Sequence, residues 1–142
     1  MKPKYDDIHV KINKQVQVDL TNSTYPEAPV VPFIKATQDR MVLEIQRGCI
    51  RGCRFCQAGM IYRPNREKKV DHLKDVAAAL IKNTGHEEIS LSSLSSSDYK
   101  ELDELITFLL DICKEKKINI SLPSLRIDAF SLDIMQKVQD VK

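Results

Sequence analysis

The sequence predicts an α/β fold with parallel strands, and three observations predict it. Apolar and polar residues alternate over 89–92 and again over 118–122, the period of a short strand. Apolar residues recur at helical spacing from Leu73 to Ile81 and from Leu102 to Cys113. Strands and helices therefore take turns along the chain, and strands joined through helices run parallel.

Each element has its own local reason. Ile8, Val10, Ile12, Val16, Val18 and Leu20 are apolar at even positions, which predicts one long strand or two short ones broken near Asn13 and Lys14. Pro26, Pro29 and Pro32 then force an extended path. Residues 1–32 are accordingly expected to be a strand and a proline-rich linker laid over the surface of a domain formed by 33–142. Residues 33–37 and 40–46, separated by Gln38 and Asp39, read as a hairpin ending at a cysteine-rich loop. Gly59, Pro64 and Asn65 leave 57–70 mostly loop. Asp71 is placed to cap a helix carrying Leu73, Val76, Ala77, Leu80 and Ile81, and Gly85 is placed to end it. After the strand at Ile89 and Leu91, Ser97 is placed to cap a helix with Leu102, Leu105, Ile106, Leu109, Ile112 and Cys113 on one stripe. Ile118, Ile120 and Leu122 make a third strand, which Pro123 stops. Ser131 opens a last helix with Leu132, Met135, Val138 and Val141 inward.

Ligands in such folds gather beyond the C-terminal ends of the strands. Those ends hold the cysteine loop, the serine run 92–97 and the segment 124–128, so one rim collects three polar or reactive segments. If the apolar residues of the strands face the helices, Ser90, Ser92, Asn119 and Ser121 face the other side. Small polar residues there suit an incomplete barrel with a wet lumen, whereas a closed barrel would be filled by bulky branched side chains.

The 142 residues suit one small domain, and 42% hydrophobic against 30% charged residues is the ordinary composition of a soluble globular protein. A net charge of +2 names no partner. Residues 47–69, however, hold seven basic residues against the single acidic Glu67. Solvated surface and charge balance for an anionic cofactor rank ahead of RNA contact for this run. Residues 1–14 are charged without an apolar segment, and the longest apolar stretch, 105–110, is too short to span a bilayer. A reducing cytoplasm is the expected setting, where clustered cysteines are more often a metal or redox site than a disulfide framework.

Cys49, Cys53 and Cys56 fall at CxxxCxxC spacing directly after a strand-like run, three of the four cysteines in eight residues. A closed zinc site wants four ligands and a four-iron cluster normally takes four thiolates. A triplet leaves one metal position for something that is not protein. With Phe55 in the last gap, the loop resembles the cluster motif of the radical S-adenosylmethionine (SAM) superfamily. The neighbouring text, 44–49, 51–59 and 62–67, together with 25–34, 88–95 and 121–126, is similar to the branch fused to a cobalamin-binding-type domain and related to methylthiotransferases.

The resemblance implies that Cys49, Cys53 and Cys56 ligate a four-iron four-sulfur cluster, that SAM chelates the fourth iron, and that its cleavage gives a 5'-deoxyadenosyl radical. It implies that the backbone around Phe55 lies against the adenine. Many relatives hold the methionyl amine with Gly-Gly-Glu, where this chain has Ser92, Ser93 and Leu94, so backbone carbonyls are left for that role. Arg126 is a candidate partner for the methionyl carboxylate, since its fork suits a carboxylate. No side chain is singled out as acid, base or nucleophile, and cobalamin use and substrate stay open. The family core is a six-stranded partial barrel, of which this chain has about three strand-helix units. The expectation is a fragment of that core, with the third strand's exposed edge available for self-association. The alternative is a non-catalytic zinc or interaction module, with Cys113 or His72 as fourth ligand.

Overall fold

The computed structural model describes residues 4–5, 7, 11, 13–21, 23–129 and 132–139. Its elements in order are β1 (Met41–Glu44), β2 (Gln46–Arg47), α1 (Ala58–Ile61), β3 (Arg66–Glu67), α2 (Val70–Thr84), β4 (Glu88–Ser92), α3 (Leu102–Lys116), β5 (Asn119–Ser121) and α4 (Leu132–Gln139). Strands β1, β4 and β5 form a parallel sheet in that order, with Met41 opposite Ile89 and Ile89 opposite Ile120. The α/β class and its parallel sheet are as the alternation of elements predicts. Strands β2 and β3 make a separate antiparallel pair, Gln46 opposite Glu67 and Arg47 opposite Arg66.

The period-two pattern settles which side of the sheet is covered. Met41, Leu43, Ile89, Leu91 and Ile120 are buried in one cluster with Leu73, Val76 and Leu80 of α2 and Leu105, Ile106 and Leu109 of α3. Burying each such side chain contributes about 1.5–3 kcal/mol, so the helical stripes and the strand alternation lock one another in place. On the other face Val42 lies opposite Ser90, and Ser90 opposite Ser121. Ser90 is itself buried, while Ser92 and Ser121 are half-buried and Asn119 is exposed.

Several local expectations are corrected. The hairpin over 33–46 does not form: 33–37 is irregular and Phe33 fully exposed, while β1 pairs in parallel with β4. Hydrogen bonding to a strand already backed by α2 and α3 outcompetes a two-stranded ribbon, which is marginal alone. The N-terminal strand is absent over 13–20, which are irregular; Ile8, Val10 and Ile12 lie outside the described residues. Helix α2 begins at Val70 behind Lys69 rather than behind Asp71, because the Val70 N–H is capped from a distance by Glu101 Oε2 at 3.3 Å. Ser97 lies in a single 3₁₀ turn, Ser96–Asp98, and α3 starts later, behind Glu101. The third strand is shorter than 118–122. Leu132 is exposed rather than inward, although Ile134 and Val138 pack on the core; Ser131 and Val141 lie outside the described residues. Gly85 does end α2, in the left-handed conformation at φ 69°.

The outer edge of β1 meets the segment around Tyr25. Ile45 N–H donates to Ser92 O of β4, so by alternation the Val42 carbonyl points outward, where the Tyr25 hydroxyl donates to it. Asn83 of α2 donates to Glu27 O at 3.0 Å, which holds the proline-rich segment over the domain surface.

Cys113 is fully buried on the α3 stripe, and burial pushes its thiol up to about 11. A thiol whose native pKa exceeds its unfolded value of about 8.5 contributes stability below that pH, which is lost as pH rises toward the native value. At pH 8 a thiol reagent is expected to modify Cys49, Cys53 and Cys56 in the native protein and Cys113 only after denaturation. Mass spectrometry of the labelled peptides checks this, and native labelling of Cys113 at the rate of the other three would contradict its burial.

Candidate metal centre

The loop that carries the cysteines is an excursion closed at its neck. The β2–β3 pair brings Gln46–Arg47 against Arg66–Glu67, so residues 48–65 leave and return at one place. The neck is fastened to the sheet by Ile45 N–H on Ser92 O at 3.1 Å and Lys68 N–H on Ile45 O at 3.0 Å. Gly48 makes the exit at φ 90°, a conformation that side chains with a β-carbon rarely adopt. Inside the loop, Cys56 N–H donates to Cys53 O at 3.0 Å, and Arg51 and Gly59 N–H each reach a sulfur, Cys49 Sγ and Cys56 Sγ, at 3.4 Å. Arg63 staples the two arms, donating to Gly59 O at 2.8 Å and Arg51 O at 3.2 Å.

The three segments expected at the C-terminal rim do meet. The Arg51 guanidinium grips the Asp98 carboxylate with Nε at 2.9 Å and Nη2 at 2.5 Å. Ser96 donates through its hydroxyl to Pro123 O at 2.7 Å, and Arg126 N–H donates to Ser97 Oγ at 3.2 Å. Arg126 also extends Nη1 to Cys53 Sγ at 3.4 Å, while its Nε and Nη2 hold Asp128 at 3.0 and 2.7 Å. The charges support one another: the bond from Arg51 holds Asp98 below the usual carboxylate range, and Arg126 does the same for Asp128. Asp128 and Cys53 in turn raise the guanidinium pKa of Arg126.

Cys49, Cys53 and Cys56 are free and half-buried. Among the described residues no three His, Cys, Asp or Glu side chains are gathered closely enough to hold a metal ion, so the loop presents its thiols on one rim without closing on a centre. The donor chemistry nevertheless fits an iron–sulfur group: three thiols on one clamped loop, with N–H donors on the sulfurs and cations to offset their charge. Cys113 belongs to the apolar core behind the sheet, which removes it as a fourth zinc ligand. His72 is half-buried on α2 and joins no such cluster.

Phe55 stands exposed at the loop's tip. Ser92, Ser93 and Leu94 line a hollow of about 280 Å³ with Gln46, Gly48, Tyr62 and Arg66, directly beside the neck. A larger hollow, about 590 Å³, lies at the opposite rim near Phe33, Gly85 and Asn119, away from the cysteines. Sequence reasoning missed three buried polar residues at the site. Gln46 is 3% exposed and donates to Ser95 O at 2.7 Å. Lys68, 2% exposed, pairs with Glu44 at 3.1 Å and lies 4.4 Å from the centre of the Tyr25 ring. Asp98 is the third. The basic run is largely spent on such contacts, Arg47 on Glu44 and Arg51 on Asp98, with Arg63 and Arg66 on backbone carbonyls, rather than spread as a free cationic patch. Burial alone would push the Glu44 carboxyl up, but Arg47 and Lys68 bring it below its ordinary value.

Residues 43–142, from the core of β1 onward, match the family model described as the Radical SAM superfamily. The chain belongs to that superfamily. It is also similar to the uncharacterized protein MJ0966 of Methanocaldococcus jannaschii, 33% identical over 139 residues, which is 92% of this chain and 30% of that protein. The chain thus spans under a third of the length of the curated relative it matches. The superfamily is one of iron–sulfur, SAM-dependent radical chemistry. The mixed α/β fold with its parallel sheet is consistent with part of a radical SAM core. Among the described residues no helix is long and apolar enough to cross a membrane.

Proposed function

We propose that this radical SAM chain is the cluster-binding part of an enzyme, in which Cys49, Cys53 and Cys56 hold a four-iron four-sulfur cluster and leave one iron for SAM. The observation that carries the reading is the clamped loop, with three free thiols at the C-terminal rim of a parallel sheet in a chain of this family. When bound, the reduced cluster supplies one electron that cleaves SAM to methionine and a 5'-deoxyadenosyl radical.

The chain's own residues orient the cofactor. Phe55, exposed at the tip, offers its backbone to the adenine. The backbone carbonyls of Ser92, Ser93 and Leu94 accept from the methionyl amine beside the loop's neck. Arg126, already turned toward Cys53 Sγ, takes the methionyl carboxylate when Asp128 is displaced from its fork. The likeness of the text around the cysteines to the branch fused to a cobalamin-binding-type domain and related to methylthiotransferases supports reading the chain as part of that branch. In this reading 33–142 are the N-terminal half of the partial barrel, and the proline-rich segment before it, 25–32, is a linker. The free edge of β5 is where further strands join, from continuing chain or a second copy.

Anaerobic reconstitution with iron and sulfide tests the proposal. A four-iron spectrum that changes on adding SAM supports it; one tightly held zinc with no cluster uptake overturns it. Arg126→Ala is expected to leave cluster uptake intact and weaken SAM binding by about tenfold, the loss of one charge-assisted contact. Unchanged SAM affinity in that variant would release Arg126 from its role.

A further inference from the structure

The cysteine loop is tied to the sheet by a path of polar groups that runs from Arg51, inside its motif, through Asp98 and Ser95 to Gln46. Arg51 stands in the gap between Cys49 and Cys53, and both of its ends are held. Its carbonyl accepts from Arg63, and its guanidinium closes a two-pronged ion pair on Asp98. Asp98 is 5% exposed on its side chain and takes a further hydrogen bond from Ser95 Oγ at 2.7 Å. Ser95 is buried in turn, and its carbonyl accepts from Gln46 of β2, two residues before Gly48. The middle of the loop is thereby fixed to its own neck through the segment after β4. That segment also holds Ser92, Ser93 and Leu94, which line the hollow beside the neck.

A carboxylate this buried needs a reason, because removing it from water is costly unless it is paired and bonded. Asp98 has both, and every partner is part of the loop's fastening. The planar fork of Arg51 sets direction as well as distance, which a lysine in its place would not. We propose that Asp98 is a positioning residue for the cysteine loop: through Arg51 it fixes where Cys49 and Cys53 stand relative to the rim after β4. This role rests on the reading of the loop as an iron–sulfur site. Asp98 acts through Arg51 and touches neither the metal nor the thiols.

The test uses the full chain, with Asp98→Asn, which keeps shape and removes charge, and Arg51→Lys, which keeps charge and removes the fork. Three readouts are taken: tryptic cleavage after Arg54 in the metal-free protein, the half-life of the reconstituted cluster against a chelator, and the electron paramagnetic resonance spectrum of the reduced cluster with and without SAM. Both variants are expected to melt close to the parent and to be cleaved about tenfold faster. Their clusters are expected to be lost about tenfold faster, with an altered spectrum, tenfold being the loss of a charge-assisted pair of hydrogen bonds. A structural role alone would move melting and leave the spectrum of the surviving cluster unchanged. If the parent loads a cluster and both variants match its half-life and spectrum, the positioning role is overturned while the function above stands. If the parent takes up no iron and sulfide, that function fails and the role of Asp98 toward a cluster fails with it, whatever trypsin reports. Should Asp98→Asn not fold, Arg51→Lys decides alone, since Arg51 lies on the loop outside the core.

Discussion

Cys53→Ala is expected to give a folded protein that takes up no iron–sulfur cluster. Cys53 is half-buried on the loop and belongs to no part of the hydrophobic cluster, so its truncation should change stability by only about 0.5 kcal/mol, as substitutions away from the core do. The chemistry changes far more. Two thiolates remain where the cluster reading needs three, and the third sulfur, which Arg126 faces at 3.4 Å, is gone. Iron and acid-labile sulfide per chain after anaerobic reconstitution should fall to background, with the thermal transition within a few degrees of the parent. Cys113→Ala is the opposite case. It removes a fully buried group from the α3 stripe, so it should lower the melting temperature and leave iron uptake intact. If Cys113→Ala removed the metal and Cys53→Ala did not, the cluster assignment would be wrong and a zinc site built on Cys113 would take its place.

What the sequence made legible follows from how far each signal reaches. The stripes of α2 and α3 and the alternation in β4 are local, repeat over several turns or residues, and point to one core, so they appear where the periodicity puts them. The cysteine triplet is legible for the same reason, since ligands within a span of eight residues need no tertiary information to be grouped. Pairing is a different matter. Phe33 and Ile34 look as much like strand residues as Val42 and Leu43 do, yet the first two are exposed and the strand that forms pairs with β4 far along the chain. Strands β2 and β3 are two residues each, too short for any period to register, although they close the neck of the site. The start of α2 lies before Asp71 because Glu101, from the segment before α3, caps it and makes a local capping residue unnecessary. The polar anchors were hidden by distance: Arg51 and Asp98 are 47 residues apart, and Gln46 reaches a carbonyl 49 residues on. A signal did exist, in Asp98 following a serine run at the rim already marked as the ligand side. An acidic residue there needs a cation, and the cysteine loop supplies one.

Gly48→Ala is expected to cost about 3 kcal/mol or more and to take cluster uptake with it, because two independent penalties fall on one atom. The first is conformational. At φ 90° an alanine is strained, as it would also be at Gly85 with φ 69°. The second is contact, and here the two glycines part. A β-carbon on Gly85 would meet nothing within 4 Å, whereas one on Gly48 would press on the Tyr62 carbonyl, on Pro64 O at 2.6 Å and on Asn65 Cα at 3.0 Å. Those are main-chain atoms of the arm returning to β3, so no side chain can swing aside to make room. Relief requires the two arms to separate, which pulls on the β2–β3 pair and on the Lys68 to Ile45 hydrogen bond that fastens the neck. Gly85→Ala should therefore lose only about 1–2 kcal/mol in urea unfolding and load iron and sulfide normally. Gly48→Ala should shift the unfolding midpoint further and leave the loop open to trypsin after Arg51 and Arg54. Equal midpoints and equal cluster uptake in the two variants would mean that the neck is not closed as described, and the clamp that groups the three thiols would lose its physical basis.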